Sequence, residues 1–80
     1  MKNLKYIRTM FDDFLLFPAW LGHNEALESI MIKNPAVTLE SAGLVALCPE
    51  GLLAHGESMS LGIKSLPEDT ELLKKFLGME

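Results

Sequence analysis

The chain has 80 residues, a net charge of −4 and 49 % hydrophobic residues, enough for one hydrophobic core and too few for two. Its single cysteine, Cys48, excludes an internal disulfide and a thiolate zinc cage within one chain. The lysines and arginines form no basic stripe, which argues against direct DNA or RNA binding, and the longest apolar run, Phe14 to Leu21, is far short of the ~20 residues a membrane-spanning helix requires. Asp12 and Asp13 interrupt the apolar stretch that a secretory signal would need after Lys2, Lys5 and Arg8, so the expected location is the cytoplasm.

From Asn3 to Leu16 the apolar residues Leu4, Ile7, Phe11 and Phe14 recur at spacings of three and four, which predicts an amphipathic helix. Pro18 should end it. Residues 17–24 then read as a connection holding a short helical turn, with Trp20 plugging the core. Asn24 is the predicted N-cap of a second helix, with Glu25 in its first turn, Leu27, Ile30 and Met31 on its buried face, and Asn34-Pro35 closing it at about Lys33.

The middle of the chain is read by its periodicity. Thr38 can cap a helix running to about Leu47, and Pro49 can open another that places Leu52, Met59, Ile63 and Leu66 on one face. Gly56 and Gly62 would then lie inside a helix, each about 1 kcal/mol worse than alanine, with Ala54, Ser58 and Gly62 as a stripe of small residues for close helix approach. The last element opens at Pro67: Glu68, Asp69 and Glu71 suit a helix start, Lys74 and Lys75 its end, and Gly78 its stop. The expected fold is therefore a single-domain, all-α bundle of four or five short helices. The alternative is an α+β arrangement with a hairpin around Val45 to His55, flanked by N- and C-terminal helices.

Functional motifs are sparse. His55-Gly56-Glu57-Ser58 partly matches a nucleophile elbow but lacks its second glycine, and Cys48 with His55 could pair a thiolate with an imidazolium. A small hydrolase-like or thiol enzyme using Ser58 or Cys48 with His55 is the alternative function. Neither His23 nor His55 has a second ligand at helical spacing, so no metal and no cofactor are expected. Phe11, Phe14, Phe17 and Trp20 form the candidate interaction surface. A chain this small, rich in apolar residues and without a cross-link, is expected to self-associate, as a dimer. The function this favours is a small protein-interaction or regulatory module acting through apolar helical surfaces.

Overall fold

The computed structural model describes residues 3–49 and 51–79, and its N-terminal segment is a hairpin. Strands β1 (Asn3–Thr9) and β2 (Phe14–Pro18) pair antiparallel, with Tyr6 opposite Leu16. A tight turn joins them: Thr9 N–H donates to the Asp13 carbonyl at 2.9 Å and Asp12 N–H to the Thr9 carbonyl at 3.0 Å. Asp12 sits at φ 61°, the left-handed position that closes a three-residue hairpin loop and that aspartate adopts more readily than most residues.

Helix α1 (His23–Lys33) follows, then β3 (Leu39–Cys48) and β4 (Gly51–His55), a second hairpin. The four strands form one antiparallel sheet in the order β2-β1-β3-β4. A small separate hairpin of β5 (Glu57–Ser58) and β6 (Ile63–Lys64) leads to helix α2 (Asp69–Leu77). Each helix has its own stop and start chemistry. Glu25 reaches back to the Gly22 N–H at 3.2 Å, while Gly78 in the left-handed conformation ends α2.

Both faces of the sheet are covered. On one, Tyr6, Phe14, Val45 and Leu52 pack against Leu73 of α2; on the other, Ile7, Phe17 and Ala42 pack against Ala26 of α1, with Leu61 and Ile63 from the small hairpin beside them. Alternation along β1 divides the two sets, sending Leu4, Tyr6 and Arg8 toward α2 and Lys5 and Ile7 toward α1.

The all-α expectation is corrected in its first half and its middle. Strands replace the helix over 3–16, the helix from Thr38 and the helix from Pro49. A hairpin does span Val45 to His55, but another hairpin stands on its N-terminal side where the α+β alternative placed a helix. The apolar residues of 3–17 satisfy helical spacing because a sheet buried on both faces needs apolar residues at successive positions and loses its period of two. Gly56 and Gly62, costly inside a helix, lie at φ 78° and 71°, conformations that side chains with a Cβ rarely adopt. The second helix does close at Lys33, with Gly22 rather than Asn24 at its N-cap.

Candidate interaction surface

A buried polar cluster fixes α2 on the sheet. Tyr6 and Arg8, two apart on β1, point to the same face; Ser41 stands opposite Arg8 on β3, and Asp69 enters from the first turn of α2. The Tyr6 hydroxyl donates to Asp69 Oδ2 at 2.5 Å, Leu66 N–H donates to the same oxygen at 2.9 Å, and Arg8 Nε donates to Ser41 Oγ at 3.1 Å. Arg8 Nε also lies 3.1 Å from Asp69 Oδ1. Its proton is directed at Ser41, so charge alone holds Oδ1, which receives no aligned hydrogen bond. The outer guanidinium nitrogens reach Asp12 at 3.0 Å and Glu68 at 3.5 Å on the surface. Burial, reinforced by the Asp69 carboxylate, pushes the Tyr6 phenol far above its ordinary value, so it remains a donor. Tyr6, Ser41 and Asp69 are 0 % exposed, leaving no room for a substrate. The cluster is a lock between helix and sheet.

His23 plays a similar part on the other face. Buried in the first turn of α1, it meets Phe17 edge-on at 5.3 Å between ring centroids, and its Nε2–H donates to the Gly43 carbonyl at 3.1 Å. Desolvation pulls its pKa below the ordinary 6.5, against the hydrogen bond to Gly43 and with the help of nearby Lys5. The sign for stability follows. The unfolded chain takes up the imidazole proton first, so this residue's contribution is complete above about pH 6.5 and declines as the pH falls through 6.5 toward the lower folded-state value. A His23→Phe variant is expected to lose less stability than the native chain between about pH 7 and about pH 5. Urea denaturation of both proteins across that range measures the difference, and parallel curves would refute it.

The sheet's two edges are treated differently. On β4, the Ala54 N–H points outward and is taken by Thr70 Oγ1 of α2 at 2.9 Å, so the helix bonds one of the outward groups of that edge. On β2, the bond between Thr9 and Asp13 fixes the phase of the ladder: Asp13, Leu15 and Phe17 turn their backbone groups toward β1, and Phe14 and Leu16 turn theirs outward. No backbone or side-chain partner meets these outward groups among the described residues. Native sheets ordinarily protect such an edge with charge, proline, a bulge, brevity or a covering segment; here the strand reads Phe-Leu-Leu-Phe-Pro, uncharged and with proline at its last position only. Beside it lies an open groove of about 450 Å³, lined by Phe11, Asp13 and Leu15 and, from α1, by Ser29, Ile30 and Lys33.

The four aromatics of the candidate surface separate. Phe14 and Phe17 are buried on opposite faces of the sheet, whereas Phe11, 61 % exposed, and Trp20, 81 % exposed, flank the two ends of β2. Trp20 therefore does not plug the core. Ser58, Cys48 and His55 do not converge either. Ser58 is buried, its Oγ 3.5 Å from Ser60 Oγ and accepting from Leu61 N–H at 3.3 Å; Cys48 pairs with Gly51 at the turn of the second hairpin, and His55 with Leu44 at the far end of that ladder. Among the described residues no group of three or more His, Cys, Asp or Glu side chains gathers where a metal could bind, and no helix is long and apolar enough to cross a membrane.

Sequence reasoning missed Tyr6, Arg8, Ser41 and the edge role of Leu15 and Leu16. The period of two in Leu4, Tyr6 and Arg8 was a signal, masked by the apolar residues between them. The sequence matches no known protein family, and neither a curated protein nor a solved structure matches it.

Proposed function

We propose that this chain is a small protein-binding module, working in the cytoplasm, that takes an extended segment of a protein onto the free edge of β2. The observation that carries this reading is the asymmetry of the two edges: α2 packs on β4 and bonds one of its outward amides, that of Ala54, while β2 presents an apolar strand whose outward backbone groups meet no partner among the described residues, beside a groove. Strand addition uses these two features together, the backbone for affinity and the adjoining pocket for side-chain choice. Leu15 and Ile30 suit an apolar side chain in the groove. Asp13 and Lys33 in its lining offer one charge of each sign to orient the segment.

The test is selection of peptides from a displayed random library against the pure protein, followed by amide hydrogen exchange. Selected peptides are expected to be extended and apolar, to protect the Phe14 and Leu16 amides, and to lose at least about tenfold in affinity against Leu16→Pro, which removes an outward donor without touching the β1 ladder. Ligands that protect amides elsewhere would refute the reading, as would a monomeric chain for which the library yields none.

A further inference from the structure

We infer that the segment taken up at this edge is β2 of a second copy, paired antiparallel about a two-fold axis through Leu15; the inference rests on the reading above. Backbone complementarity selects the register. The groups available are the N–H and C=O of Phe14 and Leu16, because Asp12 N–H is already bonded to Thr9, Pro18 has no N–H, and the Pro18 carbonyl already accepts from Leu21 N–H at 3.0 Å. With Phe14 opposite the second copy's Leu16, and the reverse, every one of these groups on both copies finds a partner. Centring the pair on Phe14 or on Leu16 instead leaves groups unmet. The strand is thus complementary to itself in one register, the property an isologous interface requires.

Side chains agree with this register. Leu15 meets its own copy across the axis on the α1 face, and Phe14 meets Leu16 on the α2 face, where Phe76 already lies 5.6 Å from Phe14 and is 47 % exposed. The helices agree as well. α1 packs over β1, so the axis sets the two α1 helices antiparallel and about 14 Å apart, three strand spacings, wider than the 8–10 Å of direct helix packing. They do not collide. Ser29 and Lys33 mark the side of α1 that faces the edge, and Glu25 lies one turn before Ser29 on that side. The axis brings the basic last turn of one helix, with Lys33, opposite the acidic first turn of the other, with Glu25, a charge match that also opposes the two helix dipoles.

Leu15→Cys in a Cys48→Ser background decides the matter. Residues facing each other at a non-hydrogen-bonded antiparallel position have Cα atoms about 4.5 Å apart, within disulfide reach. Under mild oxidation at micromolar protein, Leu15→Cys is expected to cross-link at least about a hundredfold faster than Leu53→Cys on the opposite edge, through the effective concentration that pairing provides. Light scattering of the native chain is expected to give twice its 8.9 kDa mass, and Leu16→Pro to return it to the monomer. A monomeric native chain, with both cysteine variants cross-linking at the same slow rate, would overturn the inference whether or not Leu16→Pro folds. A monomer that still binds selected peptides at Phe14 and Leu16 overturns the inference alone; a monomer that binds none overturns the interaction reading too.

Discussion

Asp69→Ala is expected to be the most damaging single substitution, lowering stability by about 3 kcal/mol, the lower end of the range for breaking a buried ion pair. Asp69 is wholly buried and is the acceptor for the Tyr6 hydroxyl and for the Leu66 N–H that starts the turn into α2. Removing the carboxylate strands both donors and leaves Arg8 Nε with Ser41 alone. The lower end applies because the outer guanidinium nitrogens keep Asp12 and Glu68 at the surface. In a domain whose total stability is about 5–15 kcal/mol, that is a large share, and the corresponding fall in Tm is about 12–24 °C. Thermal denaturation checks the value, and a double-mutant cycle checks the cause: replacing Arg8 and Asp69 together by Met and Leu is expected to recover part of the loss. A loss below about 1 kcal/mol would mean that water already reaches the cluster.

Gly43→Ala is expected to cost about 2 kcal/mol for a reason the same experiment can separate. Gly43 stands opposite Tyr6 on the neighbouring strand, and a Cβ there would lie 2.5 Å from the His55 carbonyl oxygen and 3.3 Å from Tyr6 Cε1. The first of these atoms is backbone and cannot rotate away. Either the end of β4 moves or the ladder opens, at the upper part of the ~1–3 kcal/mol range for overpacking, offset by roughly 0.5–1 kcal/mol because alanine loses less backbone entropy on folding than glycine. Hydrogen exchange is expected to accelerate at the His55–Leu44 end of the second hairpin. A variant as stable as the native chain, with unchanged exchange there, would show that β4 has slack at this point.

Both substitutions act where sequence reading was weakest. Tyr6 and Asp69 are 63 residues apart in the chain, and Gly43 matters only because β4 ends beside it. Local signals succeeded where a local rule acts alone. Asn34-Pro35 ends a helix at Lys33 whatever surrounds it, and the acidic start, Lys74, Lys75 and Gly78 produce a C-terminal helix, which begins at Asp69 and not at Pro67, because the helix dipole and a left-handed stop need no distant partner. They failed from Leu4 to Phe17 because two cores, one on each side of the sheet, both draw on that stretch. Trp20 reads as core by its size and lies exposed because the connection it occupies runs past the end of β2.

By itself, the sequence determined a helix closing at Lys33 and another near the C-terminus, since proline, glycine and capping chemistry act over a few residues. Only the tertiary structure decided that the rest pairs into a sheet, that Tyr6, Arg8, Ser41 and Asp69 lock a helix onto it, and that the outer edge of β2 meets no partner among the described residues. Strand pairing satisfies backbone groups between segments distant in the chain, so which edge remains unpaired is settled when the whole chain has folded.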